Sequence, residues 1–263
     1  MRLSISHETI YRYDAPVRHS TQYLRLTPHS SLRQRVLDWE LELPVPAFKS
    51  VDPYGNILHV LTLDFPHQEI SIKAHGVVET DDLGPEPEDK LPPLFFLRHT
   101  ELTAPDEPLK AFADGYRDEA HIEFALTRLM LAIREHMPFT PGETTVQTSA
   151  AEAFARGQGV CQDHTHVFLS CSRHLGVPAR YVSGYIYSPG HVARHVASHA
   201  WAEAWINGRW HSFDIANGTP ANDNHLKLAI GMDYLDACPI RGVRNGGGAE
   251  EMDASAWVWL DDQ

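Results

Sequence analysis

SHAWAEAWINGRWHSFD, residues 198–214, reads as two strands joined at Asn207-Gly208. Asn-Gly is the dipeptide that two-residue hairpin turns favour, because both central residues must take positive φ. Such a turn sets Trp205 opposite Trp210, Glu203 opposite Ser212 and Trp201 opposite Asp214. His199 then lies diagonally from Asp214 on the same face, close enough for a hydrogen bond that would fix the imidazole tautomer. The other face of the first strand carries Ala200, Ala202, Ala204 and Ile206, small enough for another element to approach closely.

Working back along the chain, a helix is expected to begin at Cys161. Thr148 or Ser149 can cap a short helix over 150–155, with Glu152 placed for a capping box and Gly157 as its stop. A tight Gln158-Gly159-Val160 loop then delivers Cys161 to the first turn of a helix running to His174, which Gly176 and Pro178 end. Unpaired N–H groups and the positive end of the dipole stabilise a thiolate there. A lone cysteine is more often an inert small apolar residue. A histidine with its own carboxylate changes that reading, because a thiol nucleophile needs a base and the base an orienting group. The order Cys161, His199, Asp214 is that of papain-like cysteine enzymes.

The wider chain fits an α+β protein. Its 263 residues are 43% hydrophobic and 22% charged, enough for a sizeable core. Residues 1–82 read as an antiparallel β domain in which RLSISHETIYRY, QYLRLTP, VLDWELELPVP, ILHVLTLDF and QEISIKAHGVVET are strands. Asp52-Pro53-Tyr54-Gly55-Asn56 has turn chemistry. A Pro-rich linker follows over 83–106, and residues 107–263 read as the catalytic domain. Within it, Ile122, Leu126, Leu129 and Ile133 form one apolar helix face that Pro138 ends. A net charge of −13 argues against nucleic acid or an anionic membrane as partner. There is no signal-like or membrane-spanning apolar run, and three scattered cysteines argue against a disulfide framework, so the expectation is cytoplasmic. Oligomeric state is not legible.

The sequence resembles the bacterial transglutaminase-like family of cysteine proteases, in the form that carries its own N-terminal β domain. GVCQDHTHVF, HLGVPARYVSGYI, ASHAWAEAWI, WHSFDIANG and the tail LAIGMDYLDACPIRGVRNGGG carry the resemblance, together with SHETIYRYDAPVRHSTQYLRLTP and DPYGN near the start. It implies a papain-like, transglutaminase-like catalytic domain with Cys161 as nucleophile, His199 as base and Asp214 as orienting acid. The implied chemistry is attack on a peptide or side-chain amide, a thioester, and transfer to water or an amine, with a peptide or protein as substrate. A cysteine peptidase or amidase is preferred; acyl transfer to an amine, or a silent peptide-binding domain, are the alternatives. No cofactor is expected, and without a D-x-D-x-D-G run no calcium dependence.

His164 and His166 stand where the family more often has an aromatic and a small residue, which bears on pocket shape. Asp163 is expected to point away from the thiol, toward an arginine. Cys171 and Cys238 are expected to be structural, and the tryptophans at 201, 205 and 210 core or groove wall. His191, His195 and His199 have a four-residue spacing that could ligate zinc on a helix, but Pro189-Gly190 breaks any helix there. The Cys161 N–H is a natural oxyanion donor, and Gln158 or Gln147 could add a side chain.

Overall fold

The computed structural model describes residues 1–82, 84–87, 90–117, 121–189 and 198–261. Two antiparallel sheets and a set of helices make up the fold. The N-terminal sheet is built on one long strand, β1 (Arg2–Thr27), joined by β2 (Gln34–Glu42), β3 (Phe48–Val51), β4 (Ile57–Leu63) and β5 (His67–Thr80). Leu3, Ile5, Tyr11 and Tyr13 point into its core, then the phase shifts and Leu24 and Leu26 do so. Asp14-Ala15-Pro16 therefore does not separate two strands. Pro16 sits where the register of β1 slips against its neighbours, the place in a sheet where a residue without an N–H is tolerated.

Chain order then moves to the helices. After 3₁₀ turns at Pro93–Leu97 and Glu101–Thr103 come α1 (Glu107–Asp114), α2 (Ile122–His136), α3 (Ala150–Arg156) and α4 (Cys161–His174). Ser149 caps α3 in a reciprocal box with Glu152, and Gly157 ends it at φ 64°. A second sheet follows: β6 (Ala179–Ile186), β7 (Ser198–Ile206), β8 (Arg209–Phe213) and β9 (His225–Gly231), in the order β8-β7-β6-β9. The hairpin has the register its turn dictates, with Trp205 opposite Trp210 and Glu203 opposite Ser212. Val167, Phe168 and Cys171 of α4 share a core with Ala200, Ala202 and Ala204, so the small-residue face of β7 is the one the helix covers.

The far face of that sheet is closed by the Pro-rich segment. Phe96 is fully buried there, edge-on to Trp210 with ring centroids 5.5 Å apart, alongside Val182 and Trp201. The linker is thus part of a core and more than a surface strap. After the short α5 (Tyr234–Ala237), β10 (Ile240–Gly246) and β11 (Glu250–Leu260) return to the N-terminal sheet and pair with β1. This corrects the assignment of all of 107–263 to the catalytic unit. β4 and β5 each cover one edge of β1; the opposite edge would stay open, and β10 and β11 fill it. Gly246, Gly247 and Gly248, at φ 88°, 96° and 62°, let the connection follow the bend of β1 at Asp14–Pro16.

The N-terminal domain also closes the edge of the catalytic sheet. The Gln34 amide accepts from Lys227 N–H and donates to Lys227 C=O, both at 2.8 Å. Asn56, from the DPYGN turn, does the same for Ile230, again with both bonds at 2.8 Å. Two side-chain amides thus stand in for a neighbouring strand along β9. Leu226, Leu228 and Tyr185 complete the contact by entering the core of the N-terminal sheet.

β9 lies tight against β6 at Gly184. A Cβ there would lie 2.0 Å from the Leu226 carbonyl oxygen and 2.8 Å from the Trp201 ring. Gly184→Ala is expected to cost about 1–3 kcal/mol or more by overpacking, read as a melting point lower by several degrees. An unchanged melting point would mean that β9 can back away freely.

Candidate active site

α4 starts where it does because its first turn is tied down twice. Asp163 Oδ2 accepts from the Val160 N–H at 2.8 Å and from the Thr144 hydroxyl at 2.7 Å. Asp163 therefore caps its own helix and meets no arginine among the described residues, where one was expected. An acid at the third helical position gains more from the orphan N–H groups beside it than from a distant cation. The preceding loop is pinned to residues 138–140 by Thr140 N–H to Gly159 C=O at 2.8 Å. Cys161 is left half-buried at the helix mouth.

His199 lies between Cys161 and Asp214. Its Nε2 is 2.8 Å from Asp214 Oδ2, and its ring lies near enough to the Cys161 side chain for the two groups to influence each other's charge. Trp201 stacks on it at 6.2 Å between centroids, with planes 29° apart. Burial alone would lower its pKa, but the bonds and negative charge of Asp214 and Cys161 outweigh this and hold it up to about 10. Burial likewise works against an ionised Asp214, yet its hydrogen bonds from His199 and His225 hold its carboxyl well below the usual range. The three residues singled out in the sequence are thus brought together, with His199 hydrogen-bonded to Asp214 and next to Cys161.

Two further residues complete the acid, and the sequence reading did not find them. Asn217 Nδ2 donates to Asp214 Oδ2 at 2.7 Å, and its backbone N–H to Oδ1 at 3.2 Å. Turn chemistry in Asp-Ile-Ala-Asn-Gly was the available signal. His225 Nε2 lies 2.9 Å from the same Oδ2. No local pattern marks it, because strand pairing between β6 and β9 brings it there.

His199, Asp214 and His225 present ring nitrogens and a carboxylate oxygen within 4.8 Å of one another, a spacing a metal ion could use. The hydrogen bonds argue otherwise. Nε2 of His225 faces an acceptor, Asp214 Oδ2, and its Nδ1 meets both the Asn222 N–H and the Asn222 side-chain oxygen at 3.1 Å. The three groups read as a hydrogen-bonded network around Asp214 Oδ2. His191 and His195 lie outside the described residues. His164 donates from Nε2 to the Met137 carbonyl at 2.7 Å, and His166 Nε2 accepts the Tyr234 N–H at 3.1 Å. Burial lowers the pKa of both, that of His166 to about 3, so both are neutral packing groups of α4. Glu203 is also engaged elsewhere, paired with Arg180 at 2.7 Å and with Lys227.

A fold of two antiparallel sheets with a cysteine at the mouth of the helix packed on the second defines a class, that of the transglutaminase-like thiol enzymes. Residues 3–79 match the bacterial transglutaminase-like N-terminal region and residues 110–215 the transglutaminase-like superfamily. The chain is 30% identical to the uncharacterized protein ML0607 of Mycobacterium leprae over 96% of each chain. It is 32% identical to Rv2569c of Mycobacterium tuberculosis over 92% of this chain and 87% of that one. The fold matches that of a proposed cysteine protease from Cytophaga hutchinsonii with a TM-score of 0.80, at 22% identity, over 100% and 92% of the two chains. The chain belongs to the bacterial transglutaminase-like family.

Proposed function

We propose that this protein is a cysteine hydrolase of peptide or side-chain amides, with Cys161 as nucleophile. The observation that carries the reading is His199, held between the Cys161 thiol and the Asp214 carboxylate. The thiolate attacks the amide carbonyl and forms an S–C bond. The Cys161 N–H, in the first helical turn without an intrahelical acceptor, is placed to stabilise the oxyanion. As the C–N bond breaks, His199 gives its proton to the leaving amine. His199 then takes a proton from water, whose oxygen displaces the sulfur and releases the acid. An amine in place of that water would make the same site a transferase.

A thiol-directed electrophile at neutral pH should label Cys161 well before the other two cysteines. Cys171 and Cys238 are buried, and burial pushes both thiols up. Mass spectrometry of the labelled peptides checks this; preferential labelling of Cys171 or Cys238 would overturn the assignment. Peptide-library profiling with and without a primary amine separates hydrolysis from transfer.

A further inference from the structure

Asp214 Oδ2 accepts from three side chains at once: Asn217 at 2.7 Å, His199 at 2.8 Å and His225 at 2.9 Å. Among the described residues, Oδ1 takes only the longer backbone bond from Asn217. One oxygen of a fully buried carboxylate is therefore the meeting point of two imidazoles. The two are not equivalent. His199 adjoins Cys161, whereas His225 is anchored on its far side by Asn222, whose backbone N–H and side-chain oxygen both lie 3.1 Å from Nδ1, and is pressed edge-on by Trp201 at 5.3 Å.

We propose that His225 is a second positioning residue of the site, an imidazole that donates through Nε2 to hold Asp214 Oδ2 in line with His199. The inference rests on the function proposed above. An N–H donor of this kind stabilises a buried carboxylate. It also fixes which oxygen faces the catalytic imidazole, since rotating the carboxylate would break the His225 and Asn217 side-chain bonds together.

The strand that carries His225 is set by the N-terminal domain. Arg33 Nη2 donates to the Ala221 carbonyl at 2.7 Å, and the Thr80 hydroxyl donates to that of Asp223. The Gln34 clamp on Lys227 follows two residues after His225. On this reading the N-terminal domain acts on the chemistry: it fixes the strand from which the acid is steadied.

Three variants test the proposal. His225→Leu removes the donor. His225→Gln puts an amide N–H close to the position of the imidazole Nε2–H. His225→Asn carries the same amide one methylene short. Two readouts are followed beside the parent: the rate at which iodoacetamide alkylates Cys161 at neutral pH, and the downfield proton resonance of His199 Nε2–H. With His225→Leu and His225→Asn, labelling should slow by about tenfold, the scale of one lost hydrogen bond, and the resonance should move or broaden. His225→Gln should stay within about threefold of the parent and keep the resonance. If His225→Leu does not fold, His225→Asn against His225→Gln carries the comparison. Parent-like behaviour of the short variants would overturn the proposal, as would equal loss in all three while they remain folded. Failure of the parent to label at Cys161 would instead overturn the proposed function, with the His199 resonance still reporting on His225.

Discussion

Asp214→Asn is expected to lower amide turnover by about 10⁴-fold, the scale of the same change in a serine triad. The cause differs from a simple tautomer error. Three donors converge on Oδ2, so the carboxamide oxygen should settle there and still accept from His199. What disappears is the negative charge that favours the imidazolium. His199 is held at about 10 by Asp214 and Cys161 against the opposing effect of burial. Without the carboxylate it should fall back toward the ordinary value near 6.5, and the alkaline limb of turnover should move down with it. The sign for stability follows from the same shifts. The raised His199 contributes fully below pH 6.5 and is lost as pH rises toward 10, while the lowered Asp214 contributes above pH 3.8 and is lost in acid. The variant should therefore melt furthest below the parent between about pH 4 and 6.5. Cys161→Ala should abolish turnover outright at a near-parent melting point. Near-parent turnover by Asp214→Asn on an amide found by library profiling would remove this carboxylate from the mechanism.

Glu203→Leu should unfold the protein about 3–5 kcal/mol more easily, a drop in melting temperature on the order of 10 °C. Glu203 is buried between strands, with Arg180 at 2.7 Å and Lys227 on its other oxygen. Lys227 also reaches Glu86 of the linker segment, and Arg180 lies 4.0 Å over the Trp210 ring. Burial penalises the charged carboxylate, but Lys227 and Arg180 overcome that and hold it down at about 2. Its stabilisation is present above pH 4.5 and is lost as pH falls toward 2, so an acid titration should show parent and variant converging. Removing Arg180 as well should recover part of the loss, since a buried pair costs less to replace than to break. A Glu203→Leu protein that melted with the parent would mean that the cluster contributes nothing net.

What was legible in the sequence was local. The Asn207-Gly208 turn fixes a register by backbone conformation, and from that register follow the His199–Asp214 pairing and the alanine face. The capping box at Ser149 and Glu152, the stop at Gly157 and the start of α4 at Cys161 are likewise set by neighbours a few residues apart. Contacts across the fold were not legible. Nothing near residue 225 says that its imidazole meets Asp214, because that depends on β9 pairing with β6. The amides of Gln34 and Asn56 look like ordinary turn and strand polar groups until an edge strand arrives beside them. Phe96 sits in a run of prolines that suggests exposure, and only the empty face above Trp210 explains its burial. Pro16 misleads in the opposite sense: a strand breaker in most settings, it is accommodated where β1 slips register.

The return of β10 and β11 to the first strand sets an order of events during synthesis. β1, the first strand to leave the ribosome, can pair with β4 and β5 early, but its other edge has to wait until residues 240–260 emerge. Until then the nascent chain carries a long unsatisfied strand edge, able to pair with another copy of itself. The last contacts to form join residues more than two hundred positions apart, such as Leu3 with Leu260, which places this fold among the slow formers. Shortening the chain by its last twenty residues would thus damage the domain made first, although it removes nothing from the site.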